Sequence, residues 1–296
     1  MNSPTELPKP LMQYGGQAVI EGVMMRGRKT AAVAVRKPDG EILVRTQPLT
    51  GIYTGVIARI PFLRGLLMLW DSFGLGMESL SYSAGVQGEK PVSRGEWAVT
   101  LLISLTVLLG VFFLLPTALA QWVEGGLGGP AWAGALAEGA LRLTLFLVYL
   151  IFVGRLPDIQ RVFAYHGAEH KTINAYEAGA ELTPESVERF STRHPRCGTS
   201  FLVVLIALSI LLFTLFGPMP FLVKVITRVL VIPLLIAFGY EYLRLTAAVK
   251  NRTLGRILTA PGKWTQALTT REPDRAMLAV AIAAFSAMRT AEEDPS

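Results

Sequence analysis

The sequence predicts an α-helical polytopic membrane protein with about four transmembrane helices and a small cytoplasmic α+β unit. Hydrophobic residues make up 51% of the 296 residues and charged residues only 17%, whereas a soluble domain has about 25% charged residues. Four long stretches are nearly free of charge, and lysine and arginine alternate between the segments that separate them. This composition excludes a disordered chain and argues against a fully soluble enzyme.

The four predicted spans cover approximately residues 97–119, 136–153, 199–216 and 221–242. Each is close to the roughly 20 residues needed to cross about 30 Å of hydrocarbon. Lysine and arginine number 11 in residues 1–96, none in 117–138, six in 154–198, none in 217–220 and eight in 243–296. Because these residues concentrate in cytoplasmic segments, both termini and the loop 154–198 are predicted to be cytoplasmic.

Residues 60–84 predict a helix that lies on the membrane or dips into it. Apolar side chains recur at helical spacing, while Arg64, Asp71 and Glu78 fall seven residues apart on one polar stripe. This pattern is typical of an amphipathic surface helix, and a shallow re-entrant helix is the alternative. A fifth span would bring three charges into lipid.

Charged residues also occur within the predicted fourth span. Lys224 and Arg228 either extend to the membrane interface or have a buried partner. Glu241, near the inner end of the span, could form an ion pair with Arg244 or remain solvated.

The predicted α+β unit draws on both ends of the chain. In the N-terminal region 1–59, two strand-like runs flank a Pro-Asp-Gly turn and predict a β-hairpin over 31–47. Before it, Glu21 lies in an apolar run between glycines, which fits either a tightly packed turn or a strand with a solvated glutamate. In the tail 243–296, Pro273 and Asp274 predict a helix over 274–288 that packs against the hairpin or the bilayer.

The main chemical feature is a cluster of histidines in the loop 154–198. All three histidines and the single cysteine lie within this segment. His166 and His170 are four residues apart, so on a helix both imidazoles can reach one zinc or other divalent metal ion. Glu169 is the predicted catalytic residue, a general base in an H-x-x-E-H pattern known from inverzincin metalloproteases.

A catalytic zinc site needs a third protein ligand, and the sequence leaves several candidates open. His194 and Cys197 lie just before the third span, and Glu177 and Glu241 are further candidates. Alternatively, the histidines and Glu169 form a purely structural hydrogen-bonded cluster, and Cys197 is a buried, unreactive thiol.

Several segments together resemble the YqhQ family of bacterial membrane proteins, whose function is unknown. The matching segments include GQAVIEGVMMR (16–26, with Glu21), HGAEHKTI (166–173) and HPRCGT (194–199), followed by YE (240–241), PGKW (261–264) and TTREP (269–273). The resemblance spans about residues 13–286. It implies a multi-pass protein of the bacterial cytoplasmic (inner) membrane, in a family often labelled a predicted metal-dependent enzyme.

Three functional hypotheses follow. The first is a metal-dependent membrane hydrolase, such as a peptidase. The second is a non-enzymatic accessory or regulatory protein that acts through a membrane protein partner. The third is a transporter, which with four spans would need homo-oligomerisation. The lipid bilayer is the expected environment. No nucleic acid partner is expected, because the basic residues are not interleaved with aromatic ones, and no phosphate-binding loop motif occurs.

Overall fold

The computed structural model describes residues 14–49, 60–88, 94–195, 197–249 and 252–293. The predicted N-terminal region therefore lies outside the described residues over 1–13 and 50–59. Among the described residues the chain is mostly helical, with one small antiparallel sheet.

The sheet has four strands in the order β1-β2-β3-β4, each antiparallel to its neighbour. Val19 pairs with Gly22, and Arg36 pairs with Ile42, so short turns connect the strands. The predicted hairpin over 31–47 is confirmed by the pairing of the last two strands. The strand bounds are β1 Gly15–Val19, β2 Gly22–Arg26, β3 Thr30–Arg36 and β4 Ile42–Pro48.

Eleven helices lie in the described residues, and a π-helical segment, Gly110–Leu114, joins α2 to α3. Their bounds are α1 Leu63–Val86, α2 Arg94–Leu109, α3 Leu115–Gly125, α4 Ala131–Val153, α5 Pro157–Glu177, α6 Pro184–Val187, α7 Gly198–Phe213, α8 Phe221–Leu230, α9 Ile232–Ala248, α10 Arg252–Thr269 and α11 Arg275–Glu293.

Helices cover both faces of the sheet. On one face, Val23 and Met25 pack with residues of α5 and α11 in the largest buried cluster. On the other face, Met24 and Val33 pack with Leu75 of α1. This explains why β2 and β3 read as continuous apolar runs rather than alternating ones. The α+β unit therefore includes α1 and α5 as well as the sheet and the C-terminal helix.

Two described helical stretches are long and apolar enough to cross a membrane. The first, Ala98–Gly125, runs through α2, the π-helical segment and α3, and the second is α4, Ala131–Val153. A third is added if the pair Phe221–Leu230 and Ile232–Thr246, bent by 42°, counts as one span. The predicted third span corresponds to α7, whose 16 residues are fewer than the roughly 20 that cross a bilayer. The apolar helices are thus compatible with membrane association.

The amphipathic segment forms α1, but its polar stripe faces the protein. Each of its three charges pairs with another element: Arg64 with Glu241 of α9, Asp71 with Arg26 at 2.8 Å and Glu78 with Arg45 at 3.1 Å. The opposite face leaves large apolar side chains uncovered, and Trp70 is 78% exposed.

The C-terminal tail contains one helix that the sequence did not predict. This helix, α10, continues through Pro261 although proline usually interrupts a helix. The predicted helix over 274–288 corresponds to α11, and Asp274 Oδ1 accepts a hydrogen bond from the Met277 amide at its start. Its apolar face packs on the sheet.

Candidate metal centre

Helix α5 carries His166, Glu169 and His170 in its central turns. The helix begins with Pro157, whose fixed φ suits the first turn. The four-residue spacing places the two imidazoles side by side, with ring centroids 4.3 Å apart.

Cys197 reaches this pair from the end of the loop that precedes α7. Its Sγ lies 3.2 Å from Nε2 of His166. One ligand atom from each of His166, His170 and Cys197 lies within 4.8 Å of the others. The three residues, hereafter the His-His-Cys group, come from two separate parts of the chain.

Hydrogen bonds to backbone carbonyls orient both histidines and define the tautomer of each ring. Nδ1 of His166 lies 2.9 Å from the carbonyl oxygen of Thr269, and Nδ1 of His170 lies 2.6 Å from that of Thr192. A carbonyl oxygen can only accept, so each Nδ1 carries a hydrogen, and Nε2 is the nitrogen that has a lone pair in the neutral imidazole. This is the arrangement usual for metal-ligating histidines.

The group fits a zinc ion in donor type and in spacing. Tetrahedral ligands about 2.0–2.3 Å from zinc lie roughly 3.3–3.8 Å from one another. The 3.2 Å separation and the 4.8 Å limit require only small movements of the side chains. Two nitrogens and one sulfur leave a fourth position, as in catalytic zinc sites with three protein ligands.

Glu169 is buried beside β1. Its side chain meets Gly16, where an added Cβ would lie 3.0 Å from Cδ of Glu169. Its Oε2 atom has no hydrogen-bond partner among the described residues. Burial raises the pKa of Glu169 to about 7, although the charge of His166 and the Gly16 amide oppose the rise. The carboxylate is not part of the His-His-Cys group.

His194 occupies a neighbouring position. Its ring centroid is 5.7 Å from that of His170, and its Nε2 lies 3.7 Å from Oε2 of Glu177. The side chain of Gln266 holds its backbone, accepting from the His194 amide and donating to its carbonyl at 2.8 Å each. His194 and Glu177 therefore form a pair beside the His-His-Cys group.

The other two candidate residues do not join these side chains. Glu21 adopts a φ of 51° in the turn after β1, and its carboxylate binds Arg161 at 2.5 and 2.6 Å. This excludes a solvated glutamate on a strand. Of the two alternatives for Glu241, a solvated carboxylate or a pair with Arg244, neither describes its closest contact, because Glu241 binds Arg64 at 2.7 Å. Packing of α1 against α9 brings the distant arginine closer.

The structure adds positioning residues that the motifs did not single out. The Thr192 and Thr269 carbonyls could not be predicted from the sequence, because every residue type has a backbone carbonyl. A glycine is needed at position 167, because a Cβ there would lie 2.1 Å from the carbonyl oxygen of Arg271. The Arg271 amide in turn donates to the Phe163 carbonyl at 2.9 Å. A glycine inside a histidine motif is the one local sign of this close approach.

Comparison with known proteins places the chain in a family without an assigned reaction. A family model described as "Protein of unknown function (DUF1385)" matches residues 60–291. The chain is 34% identical over 290 residues to "Uncharacterized protein YqhQ" of Bacillus subtilis (strain 168), covering 92% of this chain and 91% of the relative. No solved structure gives a significant match. The match confirms the resemblance in the sequence motifs, and the chain belongs to the YqhQ family.

Proposed function

We propose that this protein is a multi-pass protein of the bacterial cytoplasmic membrane with a metal-dependent hydrolase site on its cytoplasmic face. The proposed topology has four spans, with both termini and the loop 154–198 in the cytoplasm. It rests on the apolar helices and on the alternation of lysine and arginine between them.

The observation that carries the metal site is the hydrogen bonding of His166 and His170. Both Nδ1–H groups donate to backbone carbonyls, which leaves both Nε2 atoms available beside Cys197. These three residues would hold a divalent cation, with zinc favoured by the nitrogen and sulfur donors. Bound there, the ion would supply Lewis acidity for hydrolysis.

Glu169 would act as the general base. Its unpartnered Oε2 atom can accept a proton from a water molecule once that water reaches the site. The Thr192 and Thr269 carbonyls would keep the imidazoles oriented throughout. The proposed reaction class is hydrolysis of a peptide bond, in keeping with the H-x-x-E-H order.

Burial of the site favours a second candidate, a non-enzymatic accessory protein. His170 is 1% exposed and Cys197 7% exposed. In this alternative the group only fixes Thr192 and Cys197 against α5, and the protein acts through a membrane partner. A transporter is the third candidate, supported by the buried charges on α4 and α8.

Metal content of the detergent-purified protein tests the site. We expect about one zinc ion per chain by mass spectrometry in the wild type, and loss of zinc in His170→Ala. His194→Ala is the matched control, because His194 lies outside the His-His-Cys group. Absence of zinc in the wild type, after purification without chelators and after zinc reloading, would contradict the metal site.

Hydrolysis of fluorescein-labelled casein tests the catalytic role. Glu169→Gln should keep its zinc and lose turnover, whereas Glu188→Gln, on the exposed surface, should keep both. Zinc-loaded wild type that cleaves neither casein nor labelled membrane-protein fragments would favour the accessory function. Turnover that survives in Glu169→Gln would contradict the assignment of the base.

A further inference from the structure

A cluster of charged side chains is buried among α3, α4, α7 and α8 and shares no residue with the histidine site. Glu138 and Arg142 lie one turn apart on α4, and Arg228 comes from α8. Arg142 and Arg228 both bind the Glu138 carboxylate, at 2.7 and 2.9 Å. Glu138 is fully buried and Arg228 is 3% exposed. Of the two alternatives for Arg228, extension to the membrane interface or a buried partner, the structure has the buried partner.

The backbone of the apolar stretch Ala98–Gly125 takes part in the cluster. Pro116 has no amide hydrogen, so the carbonyl of Phe112, four residues earlier, lacks its α-helical donor. Arg142 Nε donates to that carbonyl at 2.9 Å. The π-helical segment Gly110–Leu114 lies at the same place. Such π-bulges often occur at functional sites.

The cluster carries one uncompensated positive charge. Arginine stays protonated in proteins, so two guanidinium groups share a single carboxylate. The nearby Lys224 does not add to the excess, because Glu124 neutralises it at 2.6 Å. Among the described residues, Nη1 of Arg228 is buried and has no hydrogen-bond partner. The ring of Phe213, 4.0 Å from the guanidinium, offers only its π face.

The depth of the excess positive charge within the helices indicates which kind of counter-ion could reach it. Arg228 lies seven residues after the start of α8 and Glu138 seven after the start of α4, so both are about 10 Å from the starts of their helices. Their charged groups bind each other rather than extend to a headgroup. An isolated charge in an apolar interior is costly, which favours an anion at this point.

We propose that this cluster binds a small monovalent inorganic anion, with Nη1 of Arg228 as its principal donor. Chloride is an anion of this charge and of small size. This is a second site, independent of the His-His-Cys group, and it makes anion binding a property of the apolar helices themselves.

Thermal unfolding of the full-length protein in detergent tests the proposal. Chloride should raise the unfolding midpoint by several degrees in a saturable manner, compared with gluconate, a much larger anion, at the same ionic strength. In parallel, the wild type should broaden the ³⁵Cl resonance, and bromide should reverse the broadening. Equal midpoints in both salts, or no reversible broadening, would overturn the proposal.

Two variants with opposite expected effects separate an anion site from a structural ion pair. Arg228→Gln makes the cluster neutral and should abolish the chloride effect. Glu138→Gln makes it doubly positive and should lower the chloride concentration at half-effect several-fold. Arg155→Gln, an exposed arginine outside the cluster, should respond like the wild type. A chloride effect kept in Arg228→Gln or weakened in Glu138→Gln would overturn the proposal. If either variant fails to fold, the ³⁵Cl experiment on the wild type decides.

Discussion

Nε2 of His166 lies 3.2 Å from Sγ of Cys197, although 31 residues separate the two in the chain. The loop between them includes α6 and returns to α5 through Thr192, whose carbonyl binds His170. The same loop therefore orients one histidine and delivers the thiol to the other. Metal binding, loop position and thiol reactivity should consequently change together.

Chelation should expose Cys197 to alkylation. It is the single cysteine of the chain, so N-ethylmaleimide labelling followed by mass spectrometry reports on it alone. Labelling should be slow in the zinc-loaded protein and faster after treatment with a chelator. Each ~1.4 kcal/mol by which the ion stabilises the closed site should slow labelling about tenfold. In His170→Ala the rate should be high with or without chelator. Equal wild-type rates in both conditions would contradict zinc ligation by the thiol.

Gly167→Ala should destabilise the protein and disturb the site. The new Cβ would lie 2.1 Å from the Arg271 carbonyl oxygen, so the backbone between α10 and α11 must shift. Overpacking of this kind costs about 1–3 kcal/mol. The measurement is the free energy of unfolding in urea.

Gly74→Ala is the matched control for that substitution. It lies inside α1, and nothing approaches its Cβ position within 4 Å. Alanine should therefore be neutral or stabilising there by up to about 1 kcal/mol, because it favours the helix more than glycine. Equal stability of Gly167→Ala and wild type would show that the close approach is relieved without cost.

Glu21→Gln should reduce stability at neutral pH and have less effect in acid. The hydrogen bond from Arg161 lowers the pKa of the Glu21 carboxyl below its usual range. A lowered folded-state pKa means that the stabilisation is present above the unfolded-state value, about 4.3, and is lost as the pH falls through the folded-state pKa. Because Arg161 is half exposed, the effect at pH 7 should be about 1 kcal/mol or less.

Thermal unfolding between pH 7 and pH 3 measures this effect. The difference between wild type and Glu21→Gln should narrow as the pH falls below about 4.3. Glu41→Gln is a suitable control, since Glu41 pairs with Lys37 on the exposed hairpin turn and should show no measurable effect. A pH-independent difference would assign the loss to packing of the turn.

Trp70 should contact lipid. The polar stripe of α1 faces the protein, and Trp70 on the other face is 78% exposed. The emission of Trp70 is the fluorescence of the wild type minus that of Trp70→Phe. In vesicles that contain brominated lipids, this emission should be quenched. The chain has five tryptophans, so the difference between wild type and variant is the relevant signal. If the brominated lipids leave the emission of Trp70 unchanged, this face of α1 does not contact the bilayer.

The elements that could be predicted depend on local spacing. Four residues between His166 and His170 suffice to place both imidazoles on one face of α5. The Pro-Asp-Gly turn defines the hairpin, and Asp274 marks the start of α11. Helix α10 could not be predicted in this way, because Pro261 and Gly262 favour a break, whereas in the structure the helix is continuous and packs against α7, α9 and α4.

The choice among distant partners required the tertiary structure. Sequence spacing left His194 and Cys197 as the candidates for a third ligand, with Glu177 and Glu241 as further candidates. The fold brings Cys197 to the histidines and assigns the other three to different contacts.

Local sequence patterns were enough to predict the family, the mostly helical and apolar character of the chain and the paired histidines of α5. Composition and helical periodicity are sufficient for these because each depends on neighbours within a few residues. The tertiary structure alone decided that Arg64 pairs with Glu241, 177 residues away, and that two arginines share Glu138. Such contacts depend on how the helices pack, and pairing lowers the cost of burying each charge.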